Sequence, residues 1–220
     1  FFGADYIYHL QDIHPEAANV LIPINKFLFK ALAKIDTISL RRATRLITIT
    51  EQMATEIRLR SGTTAPIYTV SNPSVSFSGI DNSRDRVDGF AFCGNAGRFQ
   101  RIPLMLEAIE EYFNRGGLLE FTFAGGGYYA GKLEAFASKF PLFHYSGLVS
   151  AMEAAQINSY FTWALLPIED DVTRFSFPSK SSSYVCANAN ILAICGENTC
   201  VATWIKKNKI GVVVKPEIEA

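Results

Sequence analysis

Short apolar runs alternate with stretches of helical apolar spacing through the second half of the chain. The clearest example begins at residues 90–93, where a continuous apolar run is typical of a parallel strand covered on both faces. From Ile102 the apolar positions change to helical spacing, with Pro103 at the start of the new pattern. The residues between, 94–101, contain two glycines. This stretch therefore predicts a strand, a loop and a helix in series.

The same alternation continues to the end of the sequence. Further strands are predicted at 119–124, 143–145, 161–166, 191–195 and 211–214, and helices at 129–140, 152–158, 177–187 and 199–207. Parallel strands need helical crossovers between them, so strands that alternate with helices in this way predict a doubly wound parallel α/β sheet.

Fewer elements precede residue 73. The pattern predicts strands at 5–10, 45–50 and 67–70, one long helix over 20–43 and a shorter helix over 51–60. Three strands cannot make a comparably covered sheet, and the chain begins Phe-Phe-Gly. We therefore expect a first domain that is incomplete at its N-terminus.

A polar segment separates the two halves. Residues 74–88 are rich in serine, asparagine, aspartate and glycine, as expected of a linker. The expected organisation is a partial first domain over 1–73, a linker over 74–88 and a second domain over 89–220.

Charge and composition exclude one class of partner. Of the 220 residues 49% are apolar, which is enough for one large core or two modest ones. Lysine plus arginine equals aspartate plus glutamate, at 21 each, so no global basic field would gather nucleic acid. Any anionic ligand must be held by local charge.

The four cysteines indicate a reducing compartment. They form no CxxC pair and have no histidine at metal spacing, so we expect reduced thiols in a cytoplasmic chain, with a disulfide as the less favoured alternative. The sequence also lacks a signal-peptide pattern and an uncharged apolar stretch of about 18 residues, so no membrane span is predicted.

The predicted long helix near the N-terminus carries a row of lysines. Lys26, Lys30 and Lys34 follow one another at i+4 spacing beside Leu28 and Leu32. Such a stripe could rest on an anionic bilayer, which would place the protein at the inner face of the membrane, or it could be a solvated helix face.

The loop after the strand at 90–93 has the features of a phosphate site. Gly94 and Gly97 let the backbone pass close to a ligand, and the N–H groups at a helix start attract anions. Arg98 and Arg101 lie at the same mouth. Because Gly-Asn-Ala-Gly is not a complete G-x-G-x-x-G fingerprint, the loop alone indicates an α/β phosphate binder or an ordinary tight turn with solvated arginines.

Two acidic loops are further candidates. Residues 11–16 follow the predicted strand at 5–10, at the strand end where open α/β sheets bind ligands, and they include Asp12 and His14. An ordinary turn is the alternative there. The acidic run at 169–171 could hold a divalent cation with a diphosphate, but it lacks a defined octahedral ligand set, so we expect no metal.

Several motifs, taken in order, resemble the retaining family-four group of GT-B glycosyltransferases. In the first part these are Gln-Asp-Ile-His-Pro-Glu (11–16), Ala-Thr-Arg-Leu-Ile-Thr-Ile-Thr-Glu-Gln-Met (43–53) and Val-Ser-Asn-Pro (70–73). The second part contributes Cys-Gly-Asn-Ala-Gly-Arg-Phe-Gln (93–100), Phe-Ala-Gly-Gly-Gly (123–127), Tyr-Ser-Gly-Leu-Val (145–149) and Leu-Leu-Pro-Ile through Pro-Ser-Lys (165–180). The resemblance spans nearly the whole chain and implies two Rossmann-like domains, the first incomplete.

The resemblance also implies a reaction. Such an enzyme moves a sugar from a nucleoside diphosphate sugar to a sugar or lipid-linked acceptor, in surface polysaccharide or glycolipid assembly, and needs no cofactor. Breaking the glycosidic bond requires stabilisation of the charge that grows on the leaving diphosphate.

The resemblance assigns roles to individual residues. Arg98 and Lys180 would stabilise the leaving phosphate, while Asp12 and His14 would position the acceptor. The implied donor-binding residues are Gly94, Asn95, Gly97, Arg98, Arg101, Gly126, Gly127, Gly147, Leu148, Pro178, Ser179, Lys180 and Ser183.

This sequence departs from the group's pattern at several positions. The two glutamates that usually bracket Pro-Ser-Lys are replaced by Phe175 and Ser183, and the usual arginine and lysine of the first phosphate turn by Asn95 and Gln100. A non-catalytic nucleotide-sugar-binding or scaffold subunit and a GT-B-fold epimerase are therefore alternatives. A nicotinamide dehydrogenase is disfavoured because residues 123–125 supply no acidic group for a ribose.

Overall fold

The computed structural model describes residues 4–80 and 85–218, except for the side chain of Leu21. The part of the predicted linker at 81–84 and the outermost residues of both predicted domains, 1–3 and 219–220, lie outside the described residues. The chain divides into two compact units, one formed by Phe1–Asn72 with Asp170–Pro178, the other by Pro73–Glu169 with Ser179–Ala220.

The first unit is a small parallel sheet with helices. Its strands β1 (Ile7–His9), β2 (Arg45–Thr48) and β3 (Ile67–Thr69) pair in the order β1-β2-β3. Its helices are α1 (Glu16–Leu21), α2 (Lys26–Arg42) and α3 (Glu51–Ser61). Leu40, Leu46, Met53 and Ile57 are fully buried and form its core.

The prediction of one continuous helix over 20–43 is wrong, because the chain breaks between α1 and α2. Pro23 lies in the break, where proline lacks the N–H that a helix interior requires. Asn25 then caps α2, its side-chain oxygen accepting the N–H of Phe27 at 2.9 Å. The lysine row therefore begins at the first residue of a new helix.

The second unit is a doubly wound sheet, as the sequence predicts. Within residues 85–218 its strands are β4 (Val87–Cys93), β5 (Glu120–Ala124), β6 (Phe143–Tyr145), β7 (Phe161–Pro167), β8 (Asn190–Ile194) and β9 (Gly211–Val214). They are all parallel, in the order β6-β5-β4-β7-β8-β9. The order reverses between β4 and β7, which is where open α/β sheets bind ligands.

Helices connect these strands with boundaries a few residues from the predicted ones. They are α4 (Ile102–Asn114), α5 (Ala130–Lys139), α6 (Ala151–Tyr160), α7 (Lys180–Cys186) and α8 (Cys200–Asn208). The largest difference is at α7, which begins at residue 180 rather than 177. No helix among the described residues is both long enough and apolar enough to cross a bilayer.

An aromatic core supports the β4 side of this sheet. The rings of Phe92 and Phe123 stack with centroids 5.2 Å apart, and those of Phe123 and Phe143 with centroids 4.8 Å apart. All three side chains are buried. Stacked aromatic pairs add specific contacts to apolar burial, so the strand ends that precede the glycine turns are held by well-packed side chains.

The segment 170–178 packs with the first unit, whereas the sequence-based division placed it in the second domain. It contains a 3-10 helix, Asp170–Arg174. The N–H of Ile13 donates to the carbonyl of Phe175 at 2.8 Å, and the guanidinium of Arg174 pairs with Glu56 of α3 at 2.9 Å. These long-range contacts, which the local pattern does not contain, decide its membership.

Candidate functional site

Three glycine turns meet at the carboxyl edge of the second sheet. Gly94 follows β4, and its N–H donates to the carbonyl of Ala124 at the end of β5 at 2.9 Å. The N–H of Ala96 donates to Gly126 at 2.8 Å, and the N–H of Gly125 donates to Gly147, after β6, at 2.6 Å. Backbone hydrogen bonds thus fix the turns after β4, β5 and β6 against one another.

Two of these positions tolerate only glycine. Gly125 has φ of +134°, and a Cβ there would lie 1.9 Å from the carbonyl oxygen of Gly94. Gly127 has φ of +135°, and a Cβ there would lie 2.8 Å from the backbone of Ala96. Side-chain-bearing residues rarely adopt these angles, so the close approach of the two turns requires glycine at both positions.

The turns leave backbone donors unused. The N–H groups of Asn95, Gly97 and Gly127 donate to no acceptor in residues 4–80 and 85–218. Backbone N–H groups that are left unpaired in turns carry partial positive charge and can bind anions. The corner formed by these turns therefore has the chemistry of an anion site.

The side chain of Lys180 reaches this corner from the start of α7. A Cβ at Gly94 would lie 3.0 Å from Cε and 3.2 Å from Nζ of Lys180. Nζ lies 3.9 Å from the centroid of the Phe92 ring, is buried, and has no hydrogen-bond partner among the described residues. Burial lowers the pKa of Lys180 from 10.5 to about 7, because the charged form is poorly solvated there.

Among the described residues, the titratable groups that face Lys180 supply no negative charge. Burial raises the pKa of the Cys93 thiol to about 12, which keeps it protonated at neutral pH. The hydroxyl of Tyr184 donates to the carbonyl of Leu165 at 3.1 Å, and burial raises the pKa of Tyr184 as well. An anionic ligand would therefore supply the first counter-charge for this ammonium group.

The two arginines of the first turn have different environments. Arg98 is exposed, and its guanidinium carbon lies 4.3 Å from the ring centroid of Tyr128. Arg101 is bound to the end of β7: its Nε donates to the carbonyl of Ile168 at 2.8 Å, and its Nη2 pairs with Glu169 at 3.0 Å. Donor binding by either arginine stays a prediction, with Arg98 the more accessible of the two.

The other expected donor-binding residues are distributed less evenly. Leu148 is exposed beside Gly126, where an added Cβ would lie 3.0 Å from its Cδ2. Ser179 is exposed, whereas Ser183 is buried and its hydroxyl oxygen accepts the N–H of Val75 at 3.4 Å. Pro178 belongs to the first unit. The corner thus brings together the expected glycines, Asn95, Leu148 and Lys180, and leaves Ser183 in a structural contact.

Asp12 and His14 belong to the first unit. Both side chains are exposed, on either side of buried Ile13. The carbonyl of His14 accepts a hydrogen bond from Nη1 of Arg60 at 2.7 Å, and Asp12 forms an antiparallel bridge with Ser176. The backbone of this loop is fixed while its polar side chains face solvent, and their role in acceptor binding stays a prediction.

No cluster of histidine, cysteine, aspartate and glutamate residues in the described parts of the chain is arranged to hold a metal ion. Asp170 and Asp171, which the sequence offered as weak candidates, lie in the short 3-10 helix of the first unit.

Sequence reasoning missed the neighbours of Lys180. Cys93 is the last residue of the apolar run and directly precedes Gly94, which indicates a buried thiol at the edge of the turn. Tyr184 follows Lys180 by four residues, so the two side chains share a helix face. Both signals were present, but neither indicated that Lys180 would be enclosed.

Comparison with known proteins identifies the fold. No family model matches the sequence, and no curated protein matches it. Among solved structures, TarM aligns with 98% of this chain. The aligned part is 41% of the TarM chain, with 15% identity and a TM-score of 0.68. A second match is an S. aureus TarM variant in complex with fondaparinux, α-GlcNAc-glycerol and UDP. It aligns with 97% of this chain and with 41% of its own length, with 13% identity and a TM-score of 0.66.

A further match is the pneumococcal O-GlcNAc transferase GtfA in complex with UDP and GlcNAc. It covers 76% of this chain and 34% of its own, with 14% identity and a TM-score of 0.58. These neighbours are GT-B glycosyltransferases, and the expected GT-B type of α/β fold is confirmed. This chain spans only 34% to 41% of their lengths.

Proposed function

We propose that this chain is part of a glycosyltransferase that moves a sugar from a nucleoside diphosphate sugar to a sugar or lipid-linked acceptor. The observation that carries the proposal is the buried Nζ of Lys180, which lies beside Gly94 without a partner among the described residues. It lies in a corner with unused backbone donors, at the reversal of strand order. The complexes of GtfA and of the TarM variant with UDP are consistent with this choice of donor.

The proposed chemistry follows from the charge on the leaving group. When the bond between the anomeric carbon and the phosphate oxygen breaks, negative charge grows on the diphosphate. Backbone N–H groups and an ammonium group fixed in a site withdrawn from water stabilise that charge without reorganisation. Lys180 and the turns at 94–97 and 125–127 would perform this task.

We assign the retaining course, which the family-four resemblance implies. The acceptor hydroxyl attacks the anomeric carbon on the face that the diphosphate leaves, and its proton passes to a phosphate oxygen. This course needs no protein nucleophile. Asp12 and His14 would hold the acceptor rather than act as an obligatory base.

We also propose a cellular setting, the assembly of surface polysaccharide or glycolipid in the cytoplasm at the inner face of the membrane. The first half of α2 supports this proposal because apolar and basic side chains are both exposed there. Phe27 is 85% exposed and Leu28 55% exposed, beside Lys26 and Lys30. A helix with these features binds an anionic interface through apolar area and charge together.

Calorimetric titration with UDP-, GDP- and ADP-sugars, followed by an assay of labelled sugar transfer, tests the proposal. We expect one nucleotide class to bind. Lys180→Met should weaken its binding by about 1 to 3 kcal/mol, the scale for losing a partner of a charged group. The matched control is Lys207→Met, which removes an exposed lysine from α8. Unchanged binding by Lys180→Met, or binding of no nucleotide sugar at all, would overturn the assignment.

A non-catalytic nucleotide-sugar-binding subunit is the second candidate. It is favoured by Phe175 and Ser183 at the usual glutamate positions, since the Ser183 hydroxyl already accepts the N–H of Val75. Binding without hydrolysis or transfer across a panel of acceptors would favour this candidate. Product formation without any acceptor would instead indicate an epimerase.

A further inference from the structure

Lys180 differs from the other cations that the described structure withdraws from solvent. Arg60 forms ion pairs with two carboxylates, and Arg101 forms one with Glu169. Arg86 donates to the carbonyls of Phe161 and Ala187. In residues 4–80 and 85–218, the buried Nζ of Lys180 has neither a carboxylate nor a carbonyl as partner.

We propose that at mildly alkaline pH Lys180 is uncharged in the empty donor site and takes up one proton from solvent when the donor pyrophosphate binds. The neutral amine then becomes an ammonium group at the same time as its counter-charge arrives. This inference rests on the proposed donor site, and it adds the charge state of that site before and after binding.

The empty site favours the neutral amine. Nζ is enclosed by the ring of Phe92 and the backbone at Gly94, where water cannot solvate a charge. The titratable groups that face it are the Cys93 thiol from β4 and the Tyr184 hydroxyl from its own helix, and burial raises the pKa of both, so they stay neutral. Burial accordingly lowers the pKa of Lys180 to about 7. A ring face attracts an ammonium, but at about 1 to 2 kcal/mol it does not replace hydration.

The occupied site favours the ammonium group. An opposite charge within about 4 to 6 Å typically raises the affinity of an amine for its proton by one to three pH units. A pyrophosphate at Gly94 would place such charge next to Nζ. Between the two titration midpoints, donor affinity should therefore fall by up to about tenfold for each unit of rising pH.

Calorimetry can count the proton directly. The ligand must be a nucleotide sugar rather than a free nucleoside diphosphate, because the terminal phosphate of the latter titrates near neutral pH itself. Titrations at about pH 8 in buffers of different ionisation enthalpy should give an uptake approaching one proton per donor, and titrations at about pH 6 an uptake near zero. Lys180→Arg, whose guanidinium is always charged, should show no uptake at either pH.

The outcomes separate this inference from the proposed function. If no nucleotide sugar binds, the donor site fails and the inference fails with it. If a nucleotide sugar binds at about pH 8 without proton uptake, or if the uptake persists in Lys180→Arg, the inference is overturned while the donor site stands.

Carbon-13 spectra of labelled lysine give a reading that does not depend on the affinity of any variant. The Lys180 Cε signal, assigned by its loss in Lys180→Arg, should titrate near pH 7 in the empty protein and at least one unit higher with donor bound. A midpoint near the usual 10.5 in the empty protein would overturn the inference.

Discussion

Arg60 in the first unit and Lys180 in the second are both basic side chains with little exposure to water, and their surroundings differ. The Arg60 side chain is 17% exposed, pairs with Glu16 at 2.5 Å and with Asp36, and donates to the carbonyl of His14. Lys180 has no such partners among the described residues. A cation that the chain itself neutralises contributes to structure, whereas one left without a counter-charge destabilises the empty protein and is suited to a ligand.

The Asp36 carboxylate that pairs with Arg60 also has a second partner, Tyr8. The hydroxyl of Tyr8 donates to Oδ1 of Asp36 at 2.9 Å, and the other carboxylate oxygen pairs with Arg60. Burial and this bond to Asp36 raise the pKa of Tyr8 to about 12, so the hydroxyl keeps its proton. The charged groups of this cluster and the Tyr8 hydroxyl therefore bind one another within the same unit, while the Nε of Arg60 has no hydrogen-bond partner among the described residues.

The largest change in stability is expected from replacing Arg60, whose charge is neutralised within the protein. Arg60→Leu should lower the free energy of unfolding by about 3 to 5 kcal/mol, because two enclosed carboxylates lose their counter-charge. Urea denaturation measures the loss. The control is Arg58→Leu, which removes an exposed arginine from the same helix and should change little. A loss below about 1 kcal/mol in Arg60→Leu would mean that the ion pairs are solvated surface contacts. The contrast between a structural Arg60 and an unpaired Lys180 would then be wrong.

Removing the amine of Lys180 should change stability in the opposite direction. Lys180→Met keeps the apolar stem and removes the amine, so at about pH 6 it should stabilise the empty protein by about 3 kcal/mol. The pKa of Lys180 is about 7 in the folded protein and 10.5 when unperturbed, so the unfolded chain binds more protons between these values. The stability of the unsubstituted protein should consequently rise with pH through this window.

Unfolding curves of both proteins at several pH values check this prediction. The advantage of Lys180→Met should shrink by about 1 to 3 kcal/mol between about pH 7 and pH 9. The series should stop near pH 9, because the raised pKa of Cys93 lowers stability as pH rises beyond that point. A difference that does not change with pH would show that Lys180 stays charged in the empty protein.

Gly94 tests whether the position of the unpaired amine matters. Gly94→Ala should lower stability by about 2 kcal/mol, since φ is +151° there and the new Cβ would press on the end of Lys180. Donor affinity should fall as well, because Nζ would be displaced. The control is Gly131→Ala in α5, where an added Cβ meets nothing within 4 Å and alanine is the better helix former. Donor affinity in Gly94→Ala equal to that of the control would contradict the geometry.

The second sheet and its glycine turns could be predicted from the sequence because their signals are local. Apolar runs such as 90–93 and 191–195, separated by helical spacing, indicate parallel strands wherever they occur. Successive turns follow strands that lie side by side, so their meeting at one edge follows from topology alone. The family motifs in turn directed attention to Lys180.

The charge environments could not be predicted, because they depend on contacts between residues distant in sequence. Arg98 and Arg101 look alike in the turn, yet only Arg101 meets the carboxylate of Glu169, which follows another strand. Lys180 is enclosed by Phe92 and Cys93 from β4. The segment 170–178 likewise has contacts with Ile13 and Glu56, which no local pattern indicates.

The smallest effect is expected at Arg98, a third kind of cation that is exposed and stacked on Tyr128. Arg98→Ala should cost about 0.5 kcal/mol of stability, as expected for an exposed cation over an aromatic ring, but should weaken donor binding several-fold if the guanidinium turns toward the diphosphate. The matched variant is Arg101→Ala, which loses the bonds to Ile168 and Glu169 and should change stability more than affinity. Titration of both variants with the same nucleotide sugar decides between them. A greater loss of affinity in Arg101→Ala would mean that a cation already paired within the protein also binds the ligand. The presence of an internal ion pair would then not distinguish structural from ligand-binding cations in this turn.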